Sequence, residues 1–177
     1  FETGGVREEH EEREYYEPVS VDRRDLDDHL KDQISLLELT PRQLLLADEF
    51  LGNINEDGYL TCAIPEIVEG INEVVARAAE KEGFLGELPL YRLDEADDML
   101  RIVQTLDPPG VGARDLRECL LLQLRDLKHE ETLQYRLVRD AFDELIAHRW
   151  SEISKRFGIS AQDVQQAADE IAKLDPK

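Results

Sequence analysis

Residues 102–124 read IVQTLDPPGVGARDLRECLLLQL, and this stretch decides the fold. Across its start, Met99, Ile102, Val103 and Leu106 recur at helical spacing, so a helix capped by Asp94 is predicted to run through Leu106. Asp107-Pro108-Pro109-Gly110 must stop that helix, because proline lacks an amide and disfavours a helical residue before it. A second helix is predicted from Ala113 to about Asp126, carrying Leu116, Leu120, Gln123, Leu124 and Leu127. Two helices joined by a stiff proline and glycine turn form the unit from which the rest extends.

Working towards the N-terminus, residues 80–93 (EKEGFLGELPLYRL) break the periodicity and read as a long loop. Before it, Ile64-Pro65-Glu66 opens a helix whose stripe is Ile67, Ile71, Val74 and Val75. Thr40-Pro41 opens an earlier helix, with threonine as cap and proline at the first helical position, lined by Leu44, Leu45, Ala47, Leu51 and Ile54. The segment Asn55-Glu56-Asp57-Gly58 between them is a turn. Leu26, Leu30, Ile34 and Leu37 place a first helix from Asp25. Towards the C-terminus, helices are expected near 130–147, 149–157 and 161–174. No convincing alternation of period two is found. The fold class is all-α: a larger helical bundle over 25–127, then a three-helix lobe over 128–177 that resembles a helix-turn-helix.

Composition narrows the function. The chain holds 41 acidic against 21 basic side chains, a formal charge of −20, which argues against a phosphate-binding surface. Residues 1–24 are dense in glutamate and read as a solvated acidic linker. No apolar run is long enough to span a membrane and no secretory signal is visible. Cys62 and Cys119 read as two buried free thiols in a reducing cytoplasm. The chain opens on Phe1 without a methionine, as expected of a piece of something longer.

Two patterns mimic known sites. Asn53, Asn55, Asp57 and Gly58 match the start of a calcium loop, but its closing position is Ile64, which offers no oxygen. No metal site is expected. Residues 153–164 have the short helix, glycine turn and Ser160 cap of a helix-turn-helix. Residues 161–170 (AQDVQQAADE) carry three acids and neither Lys nor Arg, so this unit is expected to pack rather than read DNA. A weak echo links residues 103–108 to 171–176, each ending Leu-Asp-Pro. No nucleophile or metal-ligand motif supports an enzyme.

Residues 102–124, together with INEDGYL at 54–60, are similar to signatures of the bacterial enhancer-dependent sigma factor, sigma-fifty-four, the nitrogen-regulation sigma. The resemblance covers roughly residues 20–177. It implies an all-helical domain that binds core RNA polymerase, without catalysis or cofactor, in the cytoplasm. It also implies that Asp57, Gly58 and Tyr59 belong to one motif, and Asp107, Pro108, Gly110, Gly112, Arg114, Asp115 and Glu118 to the other. The charged helix start, Arg114, Asp115, Arg117 and Glu118, is the expected polymerase contact, with the glycines and prolines architectural. The family's activator-responsive region has no counterpart here, and its DNA-binding domain is expected beyond Lys177. Promoter DNA and activator ATPases are therefore expected to meet other parts of the full-length protein, with no direct DNA binding by this chain. The rival readings are an independent DNA-binding regulator using residues 153–170, and an acidic nucleic-acid mimic using residues 1–24.

Overall fold

The computed structural model describes residues 23–174. Nine helices follow one another among them: α1 (Arg23–Ser35), α2 (Pro41–Gly52), α3 (Ile64–Lys81), α4 (Leu93–Val103), α5 (Leu116–Asp126), α6 (Leu133–Asp140), α7 (Phe142–Ile146), α8 (Trp150–Phe157) and α9 (Ala161–Ala172). No strand is formed among the described residues; a single bridge pairs Ile54 with Leu60. The acidic segment lies outside the described residues apart from its last two, and so do Asp175 and Pro176 of the echo.

Local sequence explains most of the helix starts. Thr40 accepts from the Gln43 amide while the Gln43 side chain accepts from the Thr40 amide, closing a capping box ahead of Pro41. Ser160 accepts from the Asp163 amide, and Gly158 takes the left-handed conformation that ends α8. Residues 150–172 thus form the expected helix-turn-helix, with Ile153 and Val164 fully buried inside it.

Several boundaries differ from expectation. The α4 helix starts at Leu93 with Arg92 as its cap position, so Asp94 sits inside the first turn and pairs with Arg92. Glu95 reaches back instead, accepting from the Arg92 amide at 2.9 Å. Helix α5 begins at Leu116 because Asp115, whose carboxylate accepts from the Glu118 amide at 2.8 Å, is in extended conformation. The span expected as one helix over 130–147 is two, broken at Ala141, so four helices follow α5 where three were expected.

The apolar stripes also turn. Leu44 and Leu45 of α2 face outward, while Leu46 and Phe50 join Ala47, Leu51 and Ile54 in the core. Leu37 lies beyond α1, and Val74, Leu116 and Leu127 are exposed. A run of three leucines, 44–46, fits a helix stripe in more than one rotation, and tertiary packing selects among them.

Two large apolar clusters result. One gathers α1 to α4 with Leu106 and Val111. The other gathers α6 to α9 with Leu120, Leu121 and Leu124 of α5. A third, small cluster of Ala113, Cys119 and Leu122 receives the Tyr59 ring. Helix α5 therefore contributes to two clusters at once.

The long loop, residues 82–92, is held at its downstream root. The Arg42 guanidinium spans Glu95 (2.9 and 3.0 Å) and the carbonyls of Pro89 and Leu90 (2.8 Å each), and lies 4.0 Å from the centroid of the Tyr91 ring. Tyr91 in turn donates its hydroxyl to the Arg42 carbonyl at 2.6 Å, and its backbone amide donates to Asn72 at 2.7 Å. The Arg42 guanidinium, helped by the Arg92 amide, pulls the Glu95 carboxyl down from an ordinary 4.5 to about 2. Because the folded-state value lies below the unfolded one, this carboxylate stabilises the protein above pH 4.5 and ceases to do so as pH falls towards 2. E95Q is expected to have a lower thermal midpoint than the parent at neutral pH, and the two should converge in acid. A gap of constant size across that range would show that charge is not the cause.

Candidate functional site

The two signature turns meet in space. Asn55 organises the first: its side-chain oxygen accepts from the amides of Asp57 and Tyr59, each at 3.0 Å. Gly58 completes the reversal at φ 85°, a conformation that a side chain would oppose. Asn53 and Asn55, considered for a calcium loop, are spent locally, Asn53 accepting from the Cys62 thiol and donating to the Glu49 carbonyl. Cys62 is only half-buried, whereas Cys119 is fully enclosed; neither is in a disulfide.

The second turn is fastened to the first through the backbone. The Gly112 amide donates to the Gly58 carbonyl at 2.8 Å, and the Leu60 amide donates to the Ala113 carbonyl at 2.9 Å. Tyr59 lies between them and packs on Ala113, Cys119 and Leu122. Burial, and after it the contact with the Cys119 thiol, pushes the Tyr59 hydroxyl up to about 12, so it stays a neutral phenol at neutral pH. Gln123, placed on the α5 stripe from sequence, is buried and donates to Cys119 Sγ at 3.3 Å.

The charged helix start is built from mutual contacts. Glu118 accepts from the Arg114 amide (2.9 Å), from its guanidinium (3.1 and 2.6 Å) and from Gln104 (3.1 Å). Burial alone would raise the Glu118 pKa; the Arg114 guanidinium and amide and the Gln104 amide outweigh it and hold the carboxyl below its ordinary value. Gln104 also donates to the Gly112 carbonyl at 3.1 Å, tying α4 to the turn. Arg117 reaches across to α6, donating to the Arg139 carbonyl at 2.6 Å.

Asp107 is clamped from another direction. Gln33 of α1 accepts from its amide at 2.8 Å and donates to its carbonyl at 2.7 Å. Pro108 and Pro109 follow, with a cis bond between Asp107 and Pro108. Gly110, at φ 94°, passes so close to α5 that a Cβ there would lie 2.7 Å from Cys119 Sγ.

The two motifs named from sequence thus meet along α5: Gly58 and Tyr59 join Gly112 and Cys119, Gly110 lies against Cys119, Arg114, Asp115, Arg117 and Glu118 form the helix start, and Asp107 is held by Gln33 of α1. Gln33, Gln104 and Arg139 were missed. Gln104 stood inside the diagnostic stretch, and its polar side chain beside a helix-ending turn was the available signal. Gln33 and Arg139 are joined to the site only by the fold.

Fold and site together define an all-helical module in which two signature turns are fused into one rigid junction. A family model described as "Sigma-54 factor, core binding domain" matches residues 15–177. The chain is 34% identical over 157 residues to the RNA polymerase sigma-54 factor of Pseudomonas aeruginosa, covering 86% of this chain and 28% of that protein. It is 30% identical over 159 residues to the RNA polymerase sigma-54 factor of Bacillus subtilis, covering 90% of this chain and 32% of the relative. The chain belongs to the sigma-54 factor core-binding domain family. It spans about a third or less of the length of these curated relatives. Sigma factors are transcription proteins and not enzymes, and no helix among the described residues is long and apolar enough to cross a membrane.

Proposed function

We propose that this chain is the part of an enhancer-dependent sigma factor that docks the factor on core RNA polymerase in the cytoplasm. It binds by shape and charge and performs no catalysis. Promoter DNA and activator ATPases engage other parts of the longer protein. The observation carrying this reading is the family match across residues 15–177, joined to the fusion of both signature turns at one junction.

Residues 25–127 and 128–177 act as two lobes, and the start of α5 is the contact face. Arg114 suits that role because Glu118 holds one edge of its guanidinium while the side chain remains half-exposed. A donor fixed in advance loses little freedom on binding. Asp115 and Glu118 contribute by setting the helix start, and Arg117 by fixing its approach to α6.

A pull-down with purified core polymerase tests the reading. Retention is expected at low micromolar concentration in moderate salt, and R114A is expected to weaken it while leaving the thermal midpoint within a few degrees. No retention of the parent chain would defeat the proposal. Salt-sensitive gel shifts of promoter DNA by this chain alone would favour the DNA-binding regulator instead.

A further inference from the structure

Beside the Pro108-Pro109 turn, between the end of α4 and the middle of α5, lies a cleft of about 370 Å³. Its inner wall is apolar, from Leu106, Pro109 and Leu122, with Leu106 and Leu122 themselves almost wholly buried. Its outer lining is polar: Arg101, Thr105, Arg125 and Asp126 are all exposed. Both walls are stiff. Gln104 ties the α4 side to Gly112 and Glu118, and the turn is clamped to α1 by Gln33.

The two arginines are notable in a chain with twice as many acids as bases. Arg125 hydrogen-bonds a neutral partner, the Tyr135 hydroxyl, at 2.9 Å. Arg101 meets Asp98 in a pair that is exposed on both sides, which holds it weakly. The cleft therefore offers an apolar floor with two arginines and one carboxylate, Asp126, at its mouth. A small polar metabolite would need several polar groups converging on it, and the half-buried polar side chain of the lining, Gln104, has its amide nitrogen committed to Gly112 and Glu118. A polypeptide bearing a large apolar side chain next to a carboxylate fits both parts. Nucleic acid does not fit, since its phosphates would face the acidic remainder of the surface.

Resting on the reading above, we infer that this cleft is the anchor socket of the polymerase interface. A large apolar side chain of core polymerase enters between Leu106, Pro109 and Leu122, and an adjacent carboxylate pairs with Arg101 and Arg125. Interface energy concentrates where a side chain fills a preformed, water-excluding pocket, so the socket carries a share of affinity out of proportion to its size.

The test measures binding of the 177-residue chain to purified core polymerase, with thermal midpoints as the check on folding. T105R fills the mouth of the cleft while adding positive charge, and R125E removes one cation. Each is expected to weaken binding about tenfold or more. R77E makes the same charge change on α3, outside the lining of the cleft, and should bind like the parent. If the parent binds and T105R and R125E bind equally well with unchanged midpoints, the socket is wrong and the docking function stands. If R77E weakens binding as much as R125E, general charge is the cause and the socket is again overturned. If the parent does not bind, the docking function falls and the socket with it.

Discussion

Replacing Gly110 by alanine is expected to destabilise the protein by about 3 kcal/mol, from two costs that act together. A residue with a side chain held at φ 94° loses roughly 1–2 kcal/mol against glycine. The new Cβ would also lie 2.7 Å from Cys119 Sγ and 3.4 Å from the Cys119 carbonyl, and overpacking of this kind costs about 1–3 kcal/mol. The sulfur cannot easily retreat, since Cys119 is fully buried against Tyr59, Ala113 and Leu122. Urea unfolding followed by circular dichroism gives the measurement. The double variant G110A/C119A separates the two causes: removing the sulfur should recover the steric part and leave the backbone part. A G110A loss under about 1 kcal/mol would mean that the turn relaxes away from α5 at little cost.

Phe50→Ala is expected to cost about 3–5 kcal/mol, the range for emptying a buried aromatic site. Phe50 is the largest fully enclosed side chain among the described residues, and it lies on the helix that packs against α1, α3 and α4. With three helices meeting around α2, collapse of one into the space left behind is opposed by the other two. The urea midpoint should fall with little change in the slope, and Phe50→Leu should fall much less. Equal losses for the two variants would argue that the site tolerates a void. Because Gln33 of α1 holds Asp107, a loosened first cluster should also release the DPPG turn, and polymerase retention should drop together with stability.

The comparison with sequence follows the range of each interaction. Thr40 with Gln43, Ser160 with Asp163, Gly58 and the Pro108-Pro109 break are decided within a few residues, and each was legible. The rotation of α2 was not, because a triple leucine leaves the phase of the stripe open and only the neighbouring helices close it. The break at Ala141 carries neither glycine nor proline, so no local signal marked it. In the site, both motifs were found as strings, but their fusion through Gly58 and Gly112 was not. Arg42 meets Glu95 across 53 positions, and Gln33 meets Asp107 across 74. Hydrogen bonds of that span leave no periodic trace in a single sequence. The Arg114 and Glu118 pair is the exception, since opposite charges four residues apart near a helix start announce an ion pair.

Helix α5 has leucines committed on both sides: Leu122 packs with Cys119 beneath Tyr59, while Leu120, Leu121 and Leu124 pack with α6 to α9. Each added residue would rotate everything downstream by about 100° about the helix axis. One insertion would therefore turn one set of leucines away from its cluster while the other stayed in place. The loop at 82–92, rooted at one end by Arg42, has no such phase to keep. Across descendants of this chain, length change should collect in that loop, while α5 keeps its residue count as a gear keeps its teeth.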